Sequence, residues 1–210
     1  MNPYTVVTAA PHHLEGARKV MLDTFYREFG YGYQPAWHWD VVDLEATYLL
    51  TARHTLIVAL HGEEVVGTTA VRAGGPKSPP HPEWLARLYP DDSTAQLFRV
   101  YVAPAHRRHG LAREMVRRAT RFVAGRYRSL YLHTDTRVPG AEAFWRSLAE
   151  PVYDARDGDP GRFQTLHLEI ALPSAGQPQH ERDGHERDRR PHRPPAGSGP
   201  VPQHRPAQRP

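Results

Sequence analysis

Gln96-Leu-Phe-Arg-Val-Tyr-Val102, Ala103-Pro-Ala-His-Arg-Arg-His-Gly-Leu-Ala112 and Arg113-Glu-Met-Val-Arg-Arg-Ala-Thr-Arg-Phe122 form the stretch around which the chain is arranged. Leu97 to Val102 has the β-branched, aromatic and apolar composition of a buried strand. Pro104 ends it, because proline supplies no ladder donor and biases the preceding residue toward extended backbone. From Leu111 the period changes. Leu111, Met115, Ala119, Phe122 and Val123 recur on one helical face, with Arg113, Arg117 and Arg121 on another. The junction is Arg107-Arg108-His109-Gly110-Leu111-Ala112. The first amides of a helix lack intrahelical acceptors, and the helix dipole adds positive potential there, so this end suits an anion such as phosphate. Gly110 and Ala112 remove bulk and three arginines add charge. An ordinary strand-to-helix turn with solvated arginines reads the same residues equally well.

The chain has 210 residues, a formal net charge of +4 and no cysteine. Disulfides, thiolate metal sites and a cysteine nucleophile are thereby excluded. Residues 173–210 contain no Phe, Trp or Tyr and carry seven arginines against four acidic residues. Such a segment cannot bury enough apolar surface to offset its ordering entropy, and reads as a disordered tail. It holds most of the net charge, which leaves residues 1–172 nearly neutral and argues against a specific nucleic-acid surface. No apolar run approaches the ~20 residues needed to span a bilayer, and the first residues do not resemble a signal peptide. The expectation is a cytoplasmic protein with no membrane partner.

Around the central stretch, Tyr4–Val7 reads as a strand and Pro11–Phe29 as a helix with Leu14, Ala17, Met21 and Phe25 inward. Tyr31, Tyr33, Trp37 and Trp39 lie in a Gly- and Pro-broken loop that either plugs onto the core or lines a pocket for an amine. Asp40–Leu50 reads as a second helix. Thr55–Leu60 and Val65–Val71 form a hairpin, and Gly67 within its second arm indicates a bulge or close backbone approach. Residues 73–93 are a long loop with a helical turn near Trp84 to Leu88. Ser129–Asp135 is a strand and Pro139 opens a short helix facing Ala141, Phe144, Trp145 and Leu148 inward. Val152 and Tyr153 suggest a brief strand, and Gln164–Leu172 a last one, with Leu166, Leu168 and Ile170 opposite His167 and Glu169. Hairpins combined with a strand–helix–strand crossover imply an α/β (α+β) fold.

The ordered motifs resemble the GNAT superfamily of acyl-CoA-dependent N-acyltransferases, over roughly residues 4–172. The carriers are the Val-Tyr-Val-Ala-Pro strand, the Arg107-Arg108-His109-Gly110-Leu111-Ala112 loop, the Gly62-Glu-Glu-Val-Val-Gly67 hairpin and the Ala141-Glu-Ala-Phe-Trp145 helix. The resemblance implies a three-layer domain, with a mixed and mostly antiparallel sheet of six to seven strands flanked by about four helices. It implies acetyl-CoA as cosubstrate and no metal. The pantetheine would pair with the backbone of Val100, Tyr101 and Val102, and the pyrophosphate would sit on Arg107, Arg108, His109, Gly110, Leu111, Ala112 and Arg113. The acceptor would be a primary amine of a small molecule or peptide, attacking the thioester directly; homodimers are common in such folds. Two family positions differ. Gln96 stands where many relatives have a catalytic Glu, and Trp145 where many have a Tyr acid. His133 becomes the base to test, since an unperturbed imidazole titrates near neutrality, with Asp135, Glu142, His167, Glu169 or a water chain as alternatives. Tyr101 and Tyr131 are candidate acids. The missing Glu and Tyr also admit a catalytically impaired acyl-CoA- or partner-binding protein.

Overall fold

In the computed structural model, which describes residues 3–172, seven strands form one sheet in the order β1-β2-β3-β4-β5-β7-β6. They are β1 (Tyr4–Thr8), β2 (Thr55–His61), β3 (Glu64–Ala73), β4 (Thr94–Val102), β5 (Ser129–Asp135), β6 (Glu150–Asp154) and β7 (Thr165–Ile170). Every pairing is antiparallel except β4 with β5. Five helices accompany them: α1 (Leu14–Asp23), α2 (Pro35–His38), α3 (Glu83–Leu88), α4 (Leu111–Val123) and α5 (Ala141–Arg146). The tail expected over 173–210 lies outside the described residues.

Pleat alternation divides the core into two faces. Ile57, Ala59, Val71, Leu97, Leu130, Leu132 and Leu168 point one way and pack with Leu111, Met115, Val116 and Ala119 of α4 and Trp145 of α5. Leu56, Val58, Ala70 and Phe98 point the other way, toward Ala17, Met21 and Phe25. Leu85 and Tyr89 cover Tyr131 farther along this second face. Thus the long 73–93 loop is a packed lid over β5 and β7. On α4, Val116 joins the buried face of Leu111, Met115, Ala119 and Val123, and Phe122 packs half-buried against the same core, with the Arg126 guanidinium 4.7 Å from its ring centroid.

The expected helix over 40–50 is replaced by a tight turn at Trp39–Val41 and a wide π-type turn at Glu45–Leu49. Asp40, Leu44 and Tyr48 are all buried, a spacing of four that a wider turn serves better than 3.6. Asp40 points inward because Arg99 of β4 chelates it, at 2.6 and 3.1 Å. Gly67 fulfils both expectations. The β2–β3 register slips beside it, and a Cβ there would meet the Tyr101 carbonyl at 3.0 Å and Met115 Cε at 3.1 Å.

Candidate active site

The parallel contact between β4 and β5 is brief, running from Thr94–Ser129 to Gln96–Tyr131. Beyond it β4 continues to Val102 against β3 and β5 to Asp135 against β7, without pairing to each other, so a wedge opens between them. In β4 the register against β3 slips near Arg99, whose φ of +53° is in the left-handed region. A non-glycine residue stays there when its surroundings over-determine it. Thr68 Oγ1 donates to the Arg99 carbonyl at 2.8 Å, while the guanidinium reaches Asp40 and the Trp37 carbonyl, the latter at 2.5 Å. Asp40 has no exposed surface and also accepts from Tyr48 at 2.5 Å. Burial alone would raise its pKa, but the Arg99 hydrogen bonds and charge hold it below the usual carboxylate range.

At the end of β4 lies the predicted anion loop. Arg108 and Gly110 have φ of +68° and +76°, and α4 begins at Leu111. Among the described residues, the backbone N–H groups of Arg108 through Arg113 find no acceptor in the protein. Left-handed residues followed by a helix N-terminus form a concave array of donors. Gly110 borders open space, with nothing within 4 Å of a built Cβ. The side chains divide differently from the sequence expectation. Arg107 turns away, donating to the Val102 carbonyl at 2.9 Å and pairing with Glu28. Arg113 reaches Ser147 at 3.0 Å, and His109 packs on Tyr4, with ring centroids 4.9 Å apart. Arg108 is left extended into solvent. A recess of about 290 Å³ borders the other flank of the loop; its lining of β1 and α4 residues takes nothing from the wedge.

On the second sheet face, His133 of β5 stands in the wedge floor. The residue is exposed to solvent, and the groups packed around its ring set how strongly it holds a proton. Gln96 Nε2 lies 3.3 Å from its Nδ1, and the His81 ring is 5.0 Å away. Enclosure first, then the positive charge that His81, His167 and Arg99 would present, lowers its pKa to about 3. A shift in this direction makes His133 a weaker base than the unperturbed imidazole that the sequence suggested. Tyr131 is fully buried, its hydroxyl 2.6 Å from His167 Nδ1. It supports the site from below and has no surface from which to hand a proton to bound substrate. Tyr101 is half-buried and leans edge-on against Phe25 and Phe29. The alternatives are likewise committed. Glu169 accepts from Tyr89, Glu142 pairs with Arg146 and Arg156, and Asp135 pairs with Arg137.

His38 and His167 are nearly sealed, at 2% and 1% exposure. Burial lowers both pKa values to about 4. His38 Nδ1 accepts from the Gln34 N–H at 2.9 Å, and its ring stacks on Phe25 with centroids 3.8 Å apart. The folded state thus refuses protons that the unfolded chain binds below pH 6.5. Stability from these groups is present above about pH 6.5 and lost as pH falls toward 4, by roughly 2 kcal/mol for each imidazole. Urea unfolding at pH 7.5 and 4.5 checks this, with His167→Gln flattening the slope.

Among the described residues, no group of three or more His, Cys, Asp or Glu is placed to hold a metal ion, and no helix is long and apolar enough to cross a membrane. A family model described as acetyltransferase (GNAT) family matches residues 18–149. No curated protein sequence matches the chain. An acetyltransferase from Streptococcus agalactiae is similar in structure, with a TM-score of 0.59 at 20% identity, covering 82% of this chain and all of that one. The yncA protein of Salmonella typhimurium, solved with its cofactor acetyl-CoA, gives a TM-score of 0.61 at 13% identity over 85% and 99% of the two chains. NAA60 of Arabidopsis thaliana, solved with a bisubstrate analogue, gives 0.56 at 17% identity over 80% and 97%. At these identities the likeness concerns the fold.

Proposed function

The chain belongs to the GNAT acetyltransferase family, and from that premise we propose that it transfers the acetyl group of acetyl-CoA to a primary amine by direct attack. The observation that carries this reading is the row of unpaired amides from Arg108 to Arg113 beside an open wedge. The pyrophosphate would bind that row, with Arg108 supplying charge and Gly110 allowing close approach. The pantetheine arm would run into the wedge along Val100, Tyr101 and Val102. Arg107 contributes by bracing Val102 rather than by touching phosphate. A β4 backbone N–H at the open edge would steady the oxyanion as the amine nitrogen bonds the thioester carbon, a stabilisation that contributes several kcal/mol in such sites. The C–S bond then breaks, and the thiolate of CoA leaves and takes up a proton.

The amine must lose a proton before it attacks. With His133 a weaker base than an unperturbed imidazole, water in the cleft carries that proton outward, and His133 orders the water. His133→Gln is expected to lower kcat by less than about tenfold, below the 10²–10⁴ of a true general base. kcat/KM should rise with pH from 6 to 9 as free amine accumulates, without an inflection near 6.5. A loss above 100-fold together with such an inflection would restore His133 as the base.

A thiol-release assay with acetyl-CoA and a broad amine panel tests the proposal. The absence of both acetyl-CoA binding and acetyl-CoA turnover sinks it. Tight binding without amine-dependent turnover favours an acyl-CoA-binding protein, a reading supported by the commitment of each carboxylate near the cleft.

A further inference from the structure

Arg72 of β3 points onto the same sheet face as Gln96 and His133, and pairs across the ladder with Gln96. Its guanidinium lies between two aromatic rings, 3.9 Å from the Phe98 centroid and 4.8 Å from that of Trp39. Phe98 immediately precedes the Arg99 bulge. The half-exposed indole of Trp39 is the outer layer of the stack.

A guanidinium carries five donors, and none of those on Arg72 has a hydrogen-bond acceptor among the described residues. Nη1 is sealed from solvent without a partner. Buried charges are ordinarily paired, and an unsatisfied donor in a folded protein calls for an explanation. The nearby Asp40 cannot supply one. Its Oδ1 is taken by Arg99, and its Oδ2 by Arg99 and Tyr48. Two guanidinium charges therefore face one carboxylate, leaving a net positive charge beside the wedge. Stacking on aromatic faces also fixes the guanidinium plane, and the edge carrying Nε and Nη2, which unlike Nη1 are not sealed, is the one left for a planar anion.

We infer that Arg72 is the anion-recognising group of the acceptor site, so that the amine acetylated here also carries a carboxylate, as an amino acid does. The inference rests on the acetyltransferase reading above for the amine and on the orphaned guanidinium for the carboxylate. A carboxylate fits the guanidinium fork bidentately. An amide or a decarboxylated amine of the same shape leaves the charge as it is now, unpaired.

The test uses the full chain and a panel of L-amino acids, each with its amide and its decarboxylated amine. In the thiol-release assay, the best acid is expected to exceed its amide in kcat/KM by about tenfold or more, the scale of a charge-assisted hydrogen bond. Arg72→Met, which keeps an unbranched side chain between the two rings, should collapse that ratio toward one through KM for the acceptor. Its melting temperature should hold, because the guanidinium makes no hydrogen bond to lose. Arg72→Lys, which keeps the charge without the fork, should retain part of the preference and serves if the methionine variant does not fold. Calorimetry with the N-acetyl amino acids and their amides decides the question independently of turnover, with tighter binding of the acids by the parent and equal binding by the variant expected. Turnover of no amine together with acid-selective binding would sink the acetyltransferase reading and keep Arg72 as an anion site. Amides bound or turned over as well as acids, or an acid preference unchanged in Arg72→Met, overturns the inference, as does failure of every acid to bind.

Discussion

Arg99→Met is expected to lower folding stability by about 3–5 kcal/mol, the cost of leaving one member of a buried ion pair behind. Asp40 would remain charged and without exposed surface, with Tyr48 as its one strong donor. The same substitution releases the Trp37 carbonyl and the left-handed backbone of residue 99. Loss of activity should therefore exceed what the unfolded fraction explains, since the slip in β4 lies where the thioester would rest. Asp40→Asn with Arg99→Met should recover part of the loss, because removal of both charges leaves none unpaired. Urea denaturation of the three variants gives the coupling energy. A loss below 1 kcal/mol for Arg99→Met would show that the pair is decoration on a strand shaped by other forces.

Gly110→Glu should weaken acetyl-CoA binding by at least about 100-fold while the domain stays folded. A carboxylate roughly 4 Å from a phosphate charge repels it by about 4 kcal/mol at an effective dielectric of 20, and tenfold in affinity is about 1.4 kcal/mol. The position has steric room, since a Cβ at Gly110 meets nothing within 4 Å. The residue's φ of +76° adds backbone strain of about 1 kcal/mol for any side chain. Gly110→Ala carries that strain without the charge and is the control. Calorimetric titration of both variants with acetyl-CoA would falsify the loop assignment if the glutamate variant bound like the parent.

How much of this was readable in advance depends on how local the cause is. Strand β5 and the start of helix α4 fall where the residue pattern places them, because period and proline position act over a few residues. The donor array from Arg108 to Arg113 was equally legible, since it follows from a glycine next to a helix start. The direction of Arg107 was not. Its partner Glu28 lies in the π-type segment Thr24–Glu28 that follows α1, 79 residues away, and meets it only once that segment packs beside the end of β4. His167 illustrates the same limit. Alternation with Leu166 and Leu168 marks it as outward, yet it is 1% exposed because a second layer covers that face.

Composition, hydrophobic period and the loop between β4 and α4 are properties of neighbouring residues; they were enough to specify a mixed α/β domain, and the ordered motifs were enough for the resemblance to the acetyltransferase family that the family model bears out. Burial and charge pairing across the sheet are properties of distant residues brought together. They lower the pKa of His133, tie Asp40 to Arg99, and leave Arg72 without a hydrogen-bond acceptor among the described residues. The proposed phosphate end of the site is therefore visible in a dozen consecutive residues, whereas the proposed acceptor end takes shape only once β3, β4, β5 and the segments above them have packed.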